Sequence, residues 1–188
     1  LIADQQHHQV LEIDEYGNII WLFRNYRNPN QINSSIKNGS FKNIDKEGIP
    51  VNWILYNRLA EGGGKLVWEK DNSGKKYPTL VYDREGVLCL KQVVAVKPGR
   101  RYRMAGKLKT KNFKKDSFAY LQMAFLDAGG GLVEDAAQAP KGQFFTEDTD
   151  WREDSFEAVA PEAASSVELR IAICGQGKVM AKNIMFFG

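Results

Sequence analysis

Histidine is nearly missing from this chain: His7 and His8 are the two in 188 residues. Both fall within the first 25 positions, so an imidazole-based nucleophilic triad has no base anywhere else. Cysteine is equally scarce. Cys89 and Cys174, even taken with the adjacent histidines, give no zinc-ligand spacing. Each cysteine sits in an apolar, strand-like run, which leaves a disulfide or two buried free thiols; the second is the reading taken here. No apolar run reaches the roughly 18 residues of a membrane span. No secretory leader is visible, and the start at Leu1 in place of Met leaves room for a leader or a larger region upstream. Charge of one sign is lacking as well. The 26 basic and 23 acidic residues leave +3, too even for the dense basic stripe of a nucleic-acid surface. The longest basic cluster, 107–115, is broken by Leu108, Thr110, Asn112 and Phe113 and reads as a solvated strand end with its loop.

Sequence signatures of catalysis are lacking too. Gly62-Gly63-Gly64-Lys65 does not have the Walker spacing, and no dinucleotide-type glycine motif opens a helix. Glycoside hydrolysis needs two carboxylates at a set separation, and no local motif singles out a pair. We therefore expect no enzyme activity and no cofactor.

What the chain does contain is strands. Candidates are 66–68, 79–82, 87–96, 101–110, 118–126, 151–159, 167–173 and 178–187, with no convincing helical period between 38 and 188. Turn signals separate them: the 62–64 glycines, Asn72-Ser73-Gly74, Lys97-Pro98-Gly99, the 129–131 glycines, Pro161 and Gly175. Many short, punctuated strands imply an all-β sandwich. The Ala-rich, acidic stretch 131–145 reads as a long loop with room for one helical turn.

Several phrases point further. Asn38-Gly39-Ser40-Phe41 is followed by Ile49-Pro50-Val51-Asn52-Trp53; the middle holds 92–102; the end holds Thr149-Asp150-Trp151, the 167–173 strand and 175–179. Together, over residues 36–188, they resemble a jelly-roll β-sandwich of the carbohydrate-binding-module kind. That resemblance implies glycan binding on a sheet face, and it makes Trp53 and Trp151 core and edge plugs. It also implies a calcium site built on an acid after the Gly-Ser-Phe phrase and an acidic pair in the last strand. Here those positions hold Lys42, Lys182 and Asn183. An ammonium repels calcium, which needs 6–8 oxygen ligands, so we expect no such metal site. Asp45, Glu47, Asp127, Glu134 and Asp135 are further acids with no geometry fixed for them.

Because strands alternate sides, parity assigns faces. Tyr102, Met104, Gly106 and Leu108 share one side, opposite Arg103, Ala105, Lys107 and Lys109. Ala119, Leu121, Met123 and Phe125 point inward, while Phe118, Tyr120, Gln122 and Ala124 point out. Val167, Leu169, Ile171 and Ile173 form a core set, with Glu168, Arg170 and Ala172 facing away. Sugars are held by an aromatic ring under the pyranose and by planar polar groups on the hydroxyls. Tyr120, Gln122, Arg103 and Arg170 supply that chemistry on outward faces. Trp68, after the glycine run, is either a stacking platform or a plug at the end of the core. Tyr56, Tyr77 and Tyr82 are rim candidates.

Residues 1–25 form their own unit, with Ile2-Ala3-Asp4, Val10, Ile13-Asp14, Gly17-Asn18-Ile19 and Trp21. This phrase resembles part of one blade of an NHL- or quinoprotein-type β-propeller. A blade needs about 40 residues and sister blades, and no second copy occurs. We read an N-terminal β-hairpin extension, then a linker at 26–35. Two functions follow. The first is a non-catalytic carbohydrate-binding module of a larger extracellular or cell-surface polysaccharide-associated protein. The alternative is an assembly subunit of an extracellular polymer, such as a filament, in which residues 1–25 pair with a neighbouring copy by strand exchange.

Overall fold

The computed structural model describes residues 2–4, 9–13, 19–24, 36–57 and 64–188. The chain divides into two units, Leu1–Asn33 and Ser34–Gly188. In the first, β1 (Ile2–Asp4), β2 (Gln9–Ile13) and β3 (Ile19–Arg24) form an antiparallel sheet in the order β1-β2-β3. The histidine pair, the Gly17-Asn18 turn and the 26–35 linker lie outside the described residues.

The second unit is all-β. Its strands are β4 (Ile54–Asn57), β5 (Gly64–Lys70), β6 (Lys76–Tyr82), β7 (Val87–Ala95), β8 (Arg101–Lys111), β9 (Phe118–Leu126), β10 (Thr149–Val159), β11 (Ser166–Cys174) and β12 (Gly177–Phe187). They pair antiparallel in two sheets, a five-stranded one ordered β10-β8-β12-β6-β5 and a four-stranded one ordered β4-β7-β11-β9. From β6 onward the chain changes sheet at every strand, which is how a jelly roll is wound.

Alternation builds the core between the sheets. Leu121, Met123, Leu169, Ile171, Ile173, Met104, Leu108 and Phe186 are all buried there. Each such side chain stabilises the fold by about 1.5–3 kcal/mol of transfer free energy. A bulge in β12 between Lys182 and Met185 breaks its register with β8. Asn183 takes the left-handed conformation there (φ 53°), and Ile184 turns inward. The space for Ile184 comes from Gly106: a Cβ at that position would lie 2.4 Å from the Ile184 Cδ1 atom.

The same bulge receives the Gly-Ser-Phe phrase. The Ile184 N–H donates to the Gly39 carbonyl at 3.0 Å, and a Cβ on Gly39 would meet the Ile184 carbonyl oxygen at 2.1 Å. Glycine is therefore demanded by the approach of two backbones. Trp53 packs on Phe41 (ring centroids 5.2 Å) and is buried, a core plug as expected.

The loop expected at 131–145 runs over the whole of 127–148, with a hydrogen-bonded turn in which the Gln138 and Ala139 N–H groups both donate to the Asp135 carbonyl. It runs along β9 and covers that edge through isolated bridges Ala119↔Phe145, Gln122↔Lys141 and Leu126↔Leu132. Unpaired edges invite association, so this loop both protects the sheet and raises a wall beside its outer face.

Candidate cleft on the four-stranded sheet

That outer face holds a cleft of about 900 Å³. Register explains its shape. One row across the four strands reads Tyr56, Cys89, Ala172, Tyr120, and the next reads Ile54, Lys91, Arg170, Gln122. In the first row two small residues separate two tyrosines, which leaves a trough. Three strand spacings separate the tyrosines, about 14 Å at 4.7–4.9 Å each. In the second row Ile54 stands at the edge and the other three side chains are long and polar, two of them charged.

The polar row is a bonded network. Glu168 accepts from Lys91 Nζ (2.6 Å) and from Arg170 Nε (2.8 Å) and NH2 (2.5 Å). Burial alone pushes the Glu168 carboxyl up, but the hydrogen bonds from Lys91 and Arg170 outweigh it and hold it below the usual range. Arg170 NH1 also donates to Gln122 Oε1 at 3.1 Å, and Gln122 Nε2 donates to the Ala136 carbonyl at 2.7 Å. Lys141 Nζ donates to the carbonyls of Ala136 (3.2 Å), Ala137 (2.8 Å) and Ala139 (3.0 Å). Gln122 thus ties the loop wall to the sheet, and Lys141 ties the wall to itself.

Aromatic rings frame the trough. Phe144 meets Phe118 edge-on (5.3 Å, 80°) and Tyr120 at 5.4 Å, while Phe118 stacks near Tyr120 at 5.9 Å. Lys91 Nζ lies 4.6 Å from the centre of the Tyr56 ring. Exposure separates these rings. Phe144 is 53% and Tyr56 44% exposed, but Tyr120 only 7%. Burial, with Cys174 close by, pushes the Tyr120 hydroxyl far up, so it stays protonated. Both thiols are free and lie on this outer face. Burial pushes Cys89 up to about 11 and raises Cys174, which makes both poor nucleophiles.

The structure brings Tyr120, Gln122 and Arg170 together in this cleft. It does not bring Arg103 or Trp68. Arg103 lies on β8 of the other sheet, donating to Ser155 Oγ at 2.7 Å. Trp68, on β5 of that sheet, packs against the core and donates Nε1–H to the Gly48 carbonyl at 2.8 Å, which makes it the plug of the two options. Of the rim tyrosines, Tyr56 lines the cleft. Tyr82 is buried in the core, and Tyr77 packs on Trp151 (4.9 Å) on the five-stranded sheet. Sequence reasoning did not nominate Lys91, Glu168, Lys141 or Phe144. Parity had placed Glu168 outward; the other three carried no comparable signal.

Of the remaining acids, the three aspartates cap turns. Asp45 Oδ1 accepts from the N–H groups of Glu47 and Ile49, Asp127 Oδ1 from those of Gly129 and Gly131, and Asp135 Oδ1 from that of Ala137. Lys182 lies over the Trp151 ring at 3.9 Å. Among the described residues no group of three or more His, Cys, Asp or Glu is placed to hold a metal ion, and no helix is long and apolar enough to cross a membrane.

No family model matches the sequence, and no curated protein matches it. Solved structures do resemble the fold. The enzymatically active domain of bacteriophage CBA120 tailspike protein 4 is similar over 82% of this chain at 18% identity and TM-score 0.62, and the match covers 21% of that chain. A family 16 carbohydrate-binding module is similar over 82% of this chain and 99% of its own (21% identity, TM-score 0.55). The CBM22-1 xylan-binding domain of Paenibacillus barcinonensis Xyn10C is similar over 79% of this chain and 90% of its own (15% identity, TM-score 0.53). The fold is thus a carbohydrate-binding-module-like β-sandwich. These likenesses give no support to a propeller-type reading of residues 1–25.

Proposed function

We propose that the sandwich is a non-catalytic carbohydrate-binding module whose glycan lies in the trough of the four-stranded sheet. One observation carries this reading. A cleft of about 900 Å³ combines exposed rings with a row of planar hydrogen-bonding groups on a sheet of this fold. Tyr56 and Phe144 are the exposed rings for stacking; Tyr120 supports Phe144 from below. Gln122 and Arg170 hold hydroxyls, positioned by Ala136 and Glu168. Arg103 and Trp68 have no part in this site. The solved structures with carbohydrate-binding names support the reading; in it the module serves a larger, extracellular or cell-surface, polysaccharide-associated protein.

The test is a glycan array on the full chain, followed by calorimetry with Phe144→Ala and Tyr56→Ala. The reading expects at least one glycan to bind and both variants to weaken it with the melting temperature little changed. No binding across the array, or binding indifferent to both substitutions, overturns it.

A second reading rests on the first unit, a separate three-stranded sheet. In it, residues 1–25 pair with a neighbouring copy and the sandwich is the building block of a polymer. Light scattering across a concentration series separates the two: mass that grows with concentration and collapses on deleting 1–25 supports assembly, and a monomer of about the 21.2 kDa chain mass at every concentration refutes it.

A further inference from the structure

The cleft is not charge-neutral. Its lining includes Lys91, Lys141 and Arg170 but only Asp135 and Glu168 as acids. The one carboxylate inside the network, Glu168, is shared by two cations. Asp135 points Oδ1 at the Ala137 N–H in its own turn. Lys141 is held by three carbonyl dipoles.

The cations are also close together. Arg170 reaches Gln122, Gln122 reaches the Ala136 carbonyl, and Lys141 reaches the same carbonyl. A ring lies beside them: Lys141 Nζ is 6.0 Å from the Tyr120 ring centre. Burial first, then the Arg170 charge, lowers the Lys141 value and outweighs the opposing pull of Asp135, as expected of two cations near each other in partly dry surroundings. Arg170 carries five N–H donors, of which the contacts above engage three.

Resting on the carbohydrate-binding reading, the geometry points to a sugar that carries a carboxylate, seated between Arg170 and Lys141 with its ring against the Phe144–Tyr120 wall. A carboxylate there accepts from the planar guanidinium in the paired geometry that arginine favours. It also relieves the repulsion between the two cations. A neutral sugar leaves that repulsion in place. The subsite therefore selects within the glycan class and is not a general anion trap, because the trough beside it takes the neighbouring pyranoses.

The test keeps the protein unaltered and changes the ligand. The full chain is screened on an array of neutral glycans, uronate-bearing glycans, and sulfated glycans without carboxylates. Any uronate oligosaccharide that binds is compared by calorimetry with its methyl ester, at low and high salt. The inference expects the bound set to carry carboxylates, esterification to weaken binding about tenfold or more, and salt at about 1 M to weaken the acid form more than any neutral ligand. Binding of neutral or sulfated glycans only, or equal affinity for acid and ester, overturns the carboxylate subsite and leaves the carbohydrate module standing. Binding of no glycan overturns the parent reading, and this inference falls with it.

Discussion

Asp154 gives the sharpest stability prediction. It sits on β10 with its side chain turned inward, 6% exposed. Oδ1 accepts a long bond from the Gln143 N–H at 3.3 Å, and Oδ2 has no hydrogen-bond partner among the described residues. Gly142 packs so tightly against it that a Cβ there would lie 1.8 Å from Oδ2. Burial raises the Asp154 carboxyl above its ordinary value, against smaller lowering by the Gln143 and Ser155 backbone bonds. A folded value above the unfolded one means the native state holds the proton more tightly. Stability is therefore lost as pH rises from the unfolded carboxyl's value of about 3.9 through the folded value, and regained on acidification.

Asp154→Asn keeps the acceptor for Gln143 and removes the charge. The amide nitrogen that replaces Oδ2 is left unpartnered in its turn, so the gain is the desolvation cost of the buried charge alone, about 1–2 kcal/mol at neutral pH. For a chain of this size that raises Tm by about 2–8 °C. Thermal melts read by circular dichroism at about pH 7 and about pH 4 provide the assay, with the difference shrinking in acid. A variant that melts lower than the parent at neutral pH refutes the reasoning, because it would mean the carboxylate charge has a stabilising partner.

Other expectations concern the cleft and its supports. Phe144→Ala should raise the glycan Kd about tenfold, the loss of one stacking contact of about 1.4 kcal/mol, with Tm within a few degrees of the parent. Tyr120→Ala should weaken binding and lower Tm together, since the ring is buried under Phe144; an unchanged melt would show that it is not part of the wall. Gly39→Ala forces a Cβ onto a backbone oxygen that cannot yield, and should destabilise by about 2 kcal/mol or more in urea unfolding. Glu168→Gln should destabilise by about 1–3 kcal/mol at neutral pH by leaving Lys91 and Arg170 facing each other. The Glu168 value is lowered on folding, so that difference is present above its unfolded value and vanishes as pH falls through the folded one; a pH-independent difference would point to shape and not charge.

The sequence made the faces of β8, β9 and β11 legible, because alternation is local and strong there. It also exposed Tyr120, Gln122 and Arg170, which meet because β9 and β11 are neighbours. Arg103 obeyed the same parity and still fell elsewhere. Its strand belongs to the other sheet, and strand order is set by long-range packing that alternation does not encode. Trp68 was ambiguous because its role depends on the Gly48 carbonyl 20 residues earlier. Tyr120 was read as an open platform, but the 127–148 loop covers it, and no periodicity marks how a loop folds back. Phe144 and Lys141 were hidden for that reason.

Chemical-shift mapping by NMR, using the full chain and an array-identified ligand, locates the glycan residue by residue. A glycan in the cleft of the four-stranded sheet gives perturbations centred on Tyr56, Lys91, Tyr120, Gln122, Phe144 and Arg170. Perturbations centred instead on Arg103, Trp151 and Lys182 of the five-stranded sheet would contradict that placement.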